Sequence, residues 1–121
     1  LEKTIREYQI LSNLQVDLNY EWIDVDMDVM IEDTIFRVIQ ESMTNAVRHG
    51  HASRLSLHFF EDEEDYLIEL QDNGVGFETL TYGYGLKQMM ERISILGGQL
   101  QFESRDGFFT RVSLPKYKEG R

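Results

Sequence analysis

Four glycines fall within residues 72–86, DNGVGFETLTYGYGL, as two G-x-G pairs. Gly74 and Gly76 form the first pair, Gly83 and Gly85 the second, with six residues between them. Asp72 stands just before the first pair, and Asp-Asn-Gly is ordinary turn chemistry. Two readings follow. The stretch is a turn and nothing more, or its backbone, free of Cβ atoms, is shaped to approach a ligand closely. YGYGLKQMM opens straight into a helical pattern, so Tyr84, Gly85 and Leu86 aim unpaired N–H groups and a positive dipole end at any anion placed there, phosphate above all. The short polar segment between the pairs, ETLTY, has the composition of a cover over a ligand.

A second constellation lies on the run 29–48. With Glu41 set at zero on a helix of 100° per residue, Asn45 lies about 40° to one side and Arg48 about 20° to the other, with Arg37 about 40° away. The apolar set Ile35, Phe36, Ile39, Met43, Ala46 and Val47 centres opposite. An acid, an amide and two cations thus share one line on the side of the helix away from its core. One reading is a solvated face with an Arg37–Glu41 pair worth ~0.2–0.5 kcal/mol. The other is a ligand stripe. Glu41 then offers a carboxylate, Asn45 a neutral oxygen suited to Mg²⁺, and Arg48 a donor for phosphate. His49 and Gly50 close the helix, where a histidine usually makes a capping or dipole contact.

These groups need elements to position them, and the pattern supplies a set. Residues 2–13 read as the end of an amphipathic helix, with Ile5, Tyr8 and Leu11 or Leu14 on one face. LQVDLNYEW alternates Val16, Leu18, Tyr20 and Trp22 and reads as a strand. DVDMD is an acidic connector with N-cap candidates for the helix over 29–48, and Gly50 fits the position just past its end. RLSLHFF and DYLIELQD alternate, and the acidic EDEED between them makes a hairpin. A helix over 84–96 carries Leu86, Met89, Met90, Ile93 and Leu96 on one face and stops at Gly97-Gly98. QLQFES, the turn RDG and FFTRVSLP form a last hairpin. This order predicts an α+β fold, a two-layer α/β sandwich with a mostly antiparallel sheet covered on one face by helices. The domain is expected over 1–115, with a frayed tail over 116–121.

Composition narrows the function classes. A chain of 121 residues with 41% hydrophobic residues supports one core, and a single proline argues against disorder or a long linker. With no cysteine, disulfides and thiolate metal sites are excluded. A net charge of -10 argues against a sequence-independent grip on nucleic acid. It also means that an anionic ligand needs a bound cation, backbone donors or a few well-placed Lys and Arg. No apolar run approaches the ~20 residues that span a bilayer, so direct membrane contact by these residues is not expected. The sequence opens on Leu1, not Met, and is expected to be a piece of a longer protein, in whose missing part a membrane segment could lie.

ESMTNAVRHG, DNGVGF, GYGLKQM and TRVSLP, in that order, resemble the nucleotide-binding domain of the GHKL superfamily, which spans gyrase, the heat-shock chaperone, histidine kinases and mismatch-repair ATPases. Within it the sequence is most similar to sensor histidine kinases of the short-lid DesK, LiaS and VraS type. The resemblance runs from about residue 2 to Pro115. It implies the Bergerat-type ATP-binding fold, with ATP and Mg²⁺ as ligands. Glu41 and Asn45 match the N-box acid and its Mg²⁺-ligating asparagine. Arg48 and His49 match the base and ring that border the phosphates and ribose. Asp72 matches the aspartate that accepts a hydrogen bond from the adenine amino group, and Gly74 and Gly76, with Val75 between them, match the turn beside the base. Gly83, Tyr84, Gly85 and Leu86 match the turn that contacts the phosphates, and Thr110 the threonine that acts with the aspartate, partly through water.

There are departures. Phe109 stands where the family often has glycine, Tyr82 and Tyr84 are bulky for a phosphate turn, and no separate F box lies between Phe77 and Gly83, as in the short-lid subgroup. The resemblance further implies a cytoplasmic kinase domain, with Glu41 orienting or deprotonating a histidine on a separate dimerisation domain of the same protein. A NarL-type response regulator would take the phosphoryl group onward. His49, His51 and His58 are the only histidines and none lies in a helical H-box, so this stretch should bind ATP without phosphorylating itself. It is expected to be a monomer. Three other readings share the motifs: an ATP hydrolase or chaperone-like domain, a serine-directed kinase of the same fold, and a degenerate, non-catalytic adenine-binding or pure interaction module. The short lid and the end after Pro115 argue against the first, the run-up over 2–20 against the second, and the presence of both Glu41 and Asn45 against the third.

Overall fold

Alternating apolar side chains make strands whose one face must be covered, and the covering here is helical. The computed structural model describes residues 3, 6–7, 10, 14–22, 27, 29–48, 51–76 and 84–116, with backbone alone at Arg48 and Tyr84. The elements are β1 (Gln15–Tyr20), α1 (Val29–Arg48), β2 (Arg54–Glu61), β3 (Asp65–Asp72), α2 (Tyr84–Ile95), β4 (Gln99–Ser104) and β5 (Phe108–Pro115). These match the elements expected from the pattern to within two residues at each end. Of the helix expected over 2–13, Lys3, Arg6, Glu7 and Ile10 are described and are helical; the rest lies outside the described residues, as do most of DVDMD, Gly50, ETLTY and 117–121.

The sheet has the order β1-β2-β3-β5-β4. β1 and β2 run parallel because α1 carries the chain back between them. The other three pairings are antiparallel. Facing positions form rows across the sheet. Tyr20, Phe59, Ile68, Val112 and Leu100 make one, and Leu18, Leu57, Leu70, Thr110 and Phe102 the next. Val16, Leu55 and Asp72 begin a third at the end of β3. A carboxylate thus terminates a face that is apolar in these rows apart from Thr110.

Both helices lie on that face, and their apolar side chains join those of the sheet in one cluster. α1 contributes Ile35, Val38, Ile39, Met43 and Ala46, and α2 contributes Leu86, Met89 and Ile93, all buried. Burying such a side chain is worth about 1.5–3 kcal/mol. Val38 was not in the expected apolar set, and Met90, which was, is 38% exposed because it falls at the margin of the buried stripe. α2 ends as the Gly-Gly pair suggested. Gly97 adopts φ +78°, its N–H donates to the Ser94 carbonyl at 3.0 Å, and the Gly98 N–H reaches the Ile93 carbonyl at 2.9 Å.

Trp22, expected to continue the first strand, lies beyond its end. Its ring sits edge-on to Phe59 and Tyr66, and its Nε1 donates to the Phe60 carbonyl. Arg37 pairs with Asp33 at 3.3 Å, not with Glu41 as one reading of the sequence had it. Asp33 also accepts from Arg92 of α2 at 3.1 Å. About half of each of the two α1 side chains is exposed, so such pairs contribute only ~0–1 kcal/mol, but they show where the two helices meet.

The acidic β2–β3 turn is organised by Asp62, whose Oδ1 accepts N–H bonds from Asp65 at 2.7 Å and Glu64 at 2.9 Å. These donors, Asp65 first, hold its carboxyl below the usual carboxylate range. A depressed folded-state pKa gives stability that is present above the unfolded value and lost as pH falls through the folded one. Asp62→Asn keeps an acceptor but loses the charge. We expect it to unfold at lower urea than wild type near pH 6. The gap should narrow below about pH 4 and close once Asp62 itself is protonated.

Candidate functional site

Asp72 is 5% exposed, at the point where β3 leaves the sheet. A buried carboxylate needs donors, and among the described residues both arrive at one oxygen. Asp72 Oδ1 accepts the Gly74 N–H at 2.8 Å and the Phe108 N–H at 2.9 Å. The first comes from its own turn, the second from the start of β5. Asp72 also lines a small cavity between the helices and the sheet. Asn73 ties the same point to β2: its Oδ1 accepts from the Ser53 and Arg54 amides, each at 2.9 Å, and its Nδ2 donates to Ser53 Oγ.

The glycines around Asp72 have structural duties that the sequence did not disclose. Gly76 has φ +67°, and a Cβ there would lie 2.5 Å from Ser104 Oγ and 2.8 Å from the Gly107 carbonyl oxygen. Gly107 has φ +133°, and a Cβ would lie 2.1 Å from the Asp72 carbonyl oxygen. The β4–β5 loop therefore presses directly on the Asp72 turn. Gly107 was read only as part of a hairpin turn; its nearness to Asp72 is a long-range contact that local pattern does not carry. Val75, between Gly74 and Gly76, is exposed.

From the helix side, Glu41 and Asn45 approach the same place. They lie one turn apart on α1 and both are half-buried, while Arg37 is exposed, so the Glu41–Asn45 part of the stripe is the part withdrawn from solvent. It borders α2. A Cβ on Gly85 would sit 2.1 Å from Glu41 Oε1, 2.4 Å from Cδ and 2.7 Å from Oε2, so the carboxylate fills the space that Gly85 leaves open at the start of α2. With Asp33 near Arg92 at one end and Glu41 near Gly85 at the other, α2 runs antiparallel to α1. Asn45, Asp72, Leu86 and Thr110 line one small cavity of about 10 Å³, floored by Leu55 and Leu70. That is room for roughly one water.

The structure thus brings together Glu41, Asn45, Asp72, Gly74, Gly76, Gly85, Leu86 and Thr110 from α1, α2, β3, β5 and the turn after β3. Arg48 and Tyr84 have their backbone at the ends of α1 and α2; their side chains, and His49 and Gly83, lie outside the described residues. Phe109 does not enter the site. It lies on the opposite face of β5, with the Arg105 guanidinium carbon 3.7 Å above its ring. Thr110 keeps its inward register opposite Leu70 and Phe102. Missed lining residues include Ser42, Met89 and Phe108; the first was hidden among polar helix positions, the second was read on the apolar face of its helix, and the third only as part of the last hairpin.

A helix bearing an acid and an amide is thus set against a β-strand aspartate and the glycine start of a second helix. The chain belongs to the histidine kinase-, DNA gyrase B- and HSP90-like ATPase family, whose family model matches residues 30–118. It is 34% identical over 98 residues to the sensor protein VraS of Staphylococcus epidermidis, covering 78% of this chain and 28% of that protein. The chain therefore spans between a quarter and a third of that relative. Among solved structures it superposes on the histidine kinase domain of the Erythrobacter litoralis EL346 blue-light activated histidine kinase. The TM-score is 0.81 at 16% identity, over 94% of this chain and 58% of that one. It also superposes on the Acinetobacter baumannii histidine kinase AdeS with a TM-score of 0.76 at 21% identity, over 96% and 61%. At these identities the likeness is one of fold, and it bears out the α+β sandwich. Among the described residues no helix is long and apolar enough to cross a membrane.

Two glycine substitutions separate backbone from side-chain crowding. Gly107→Ala sets a Cβ against backbone at a left-handed φ and should cost about 1–3 kcal/mol. The nearest atoms to a Cβ in Gly85→Ala are the movable end of Glu41, so it should cost well under about 1 kcal/mol while displacing that carboxylate. Urea unfolding of both variants checks the order.

Proposed function

We propose that residues 1–115 form the ATP-binding catalytic domain of a two-component sensor histidine kinase. It would bind Mg-ATP and donate the γ-phosphoryl group to a histidine on a separate dimerisation domain of the same protein, for relay to a NarL-type response regulator. The observation that carries this reading is the Asp72 carboxylate. One oxygen is pinned by two backbone N–H groups, and the residue lines the cleft beside Thr110, where its other oxygen would meet an exocyclic amine. Gly74, Val75 and Gly76 would pass beside the base. Asn45 offers Mg²⁺ one neutral oxygen. Among the described residues no cluster of three or more His, Asp or Glu surrounds a point, which suits an ion held largely by phosphate oxygens and water. The amides of Gly83, Tyr84, Gly85 and Leu86 at the start of α2, with Arg48 and His49 at the end of α1, would hold the phosphates. Backbone donors let a domain of net charge -10 bind an anion.

Glu41 would orient the incoming imidazole or accept its proton. Phosphoryl transfer asks mainly for positioning and charge neutralisation, which these residues would supply. The cavity of about 10 Å³ is far smaller than a base, so entry requires its described walls, α1, α2 and the sheet, to move apart. The parent protein would place this domain in the cytoplasm.

Titration calorimetry of Mg-ATP and of ADP into residues 1–121 tests the reading. In Asp72→Asn the amide oxygen can keep the two N–H bonds, which turns an amide donor toward the adenine amine. Affinity for both nucleotides should fall roughly 10–100-fold. Asn45→Asp should alter the metal dependence of ATP binding and leave metal-free ADP nearly unaffected. A folded wild type that binds neither nucleotide refutes the proposal. The same chain incubated with ATP labelled at the γ-phosphate should remain unlabelled. His51 lies in a loop and His58 sits on β2 against Glu21, and neither is presented on a helix.

A further inference from the structure

Gln71 precedes Asp72 on β3 and projects from the opposite face of the sheet, where its cross-strand neighbours are Ser56 and Phe109. Its Nε2 donates to the Asp72 carbonyl at 2.8 Å and to the Arg105 carbonyl at 3.1 Å. Arg105 Nε lies 3.5 Å from Gln71 Oε1, and its guanidinium covers Phe109. Both ends of the carboxamide are therefore engaged with the β4–β5 loop. That loop closes on itself, the Arg105 N–H donating to the Gly107 carbonyl at 3.0 Å. The next residue, Phe108, supplies the N–H that holds Asp72 Oδ1 at 2.9 Å.

We propose that Gln71 is a positioning residue for base recognition: its carboxamide clamps the β4–β5 loop to the end of β3, so that the Phe108 N–H fixes the Asp72 carboxylate with one oxygen presented to the ligand. The inference rests on the reading of Asp72 as the residue that accepts from adenine. Gln71 itself is on the wrong face to meet nucleotide. The bond to the Arg105 carbonyl is exposed, so water replaces that donor at small cost in stability, but water does not couple the loop to the strand.

The test uses the 121-residue chain with two ligands, ADP and the diphosphate of purine riboside, which is ADP without the exocyclic amino group. Wild type, Gln71→Met, Gln71→Lys and Asp72→Asn are titrated with each, and amide exchange is followed at Phe108. Wild type is expected to prefer ADP. Gln71→Met should lose about tenfold in ADP affinity and about twofold or less for the analogue, with faster Phe108 exchange and a nearly unchanged Tm. Gln71→Lys restores a donor to the two carbonyls and should recover the ADP preference; the ratio is diagnostic there because the added charge acts on both ligands alike. Full ADP preference retained in Gln71→Met, or equal losses for both ligands, overturns the proposal. If Gln71→Met does not fold, a Gln71→Lys variant without ADP preference overturns it as well. A wild type indifferent to the amino group overturns the reading of Asp72 too. Discrimination lost in Asp72→Asn but kept in Gln71→Met overturns this inference alone.

Discussion

Seating a carboxylate at the rim of an apolar layer is costly unless its oxygens find donors, and the end of β3 is built around that need. Asp72 takes N–H bonds from Gly74 and Phe108, so its conformation depends on a turn and on a strand far along the chain. Both neighbours in sequence carry amide side chains that pin the adjoining backbone. Asn73 holds the loop before β2, and Gln71 holds the loop before β5. The glycines at 76 and 107 then follow from packing, because the two loops come too close for a Cβ on either. Three loops thus meet at one acidic residue.

The helices complete the arrangement from above. α1 is long enough to cover the sheet and still carry polar groups past the edge of the apolar stripe. At 20 residues it spans about 30 Å, and Glu41 and Asn45 lie in its last two turns. α2 runs back along it, so its N-terminal amides arrive beside the same acid and amide. The contact between the Glu41 carboxylate and Gly85 has a consequence for charge. An acid stands at the positive end of a helix that a phosphate would also seek, and the two compete for the same field.

Much of this was legible in the sequence because the signals were local. Period-two alternation marked the strands, Gly97-Gly98 marked the end of α2, and the order of motifs pointed to the family that the comparisons support. The parallel pairing of β1 with β2 was not legible, since alternation is blind to strand direction. Nor was the environment of Glu41. A helical wheel places it opposite Met43 and Ile39, but a second helix can bury a face that one helix leaves open. The partner of Arg37 was misjudged for the same reason: Asp33 is also four residues away and stands nearer Arg92. The duties of Gly107, Gln71 and Asn73 depend on contacts made across at least nineteen residues and have no local signature.

The aromatic cluster at the far end of the sheet has an optical consequence. Trp22 is the sole tryptophan, and its indole is enclosed by Tyr20, Phe59 and Tyr66. Measured along β2, the row of Phe59 is about 13 Å from that of Leu55, where Asp72 sits. The emission of this chain therefore originates in a buried, hydrogen-bonded ring remote from the cleft. Its colour and intensity register whether the sheet is intact and are nearly silent to what occupies the nucleotide cleft, which gives the molecule a built-in folding dye.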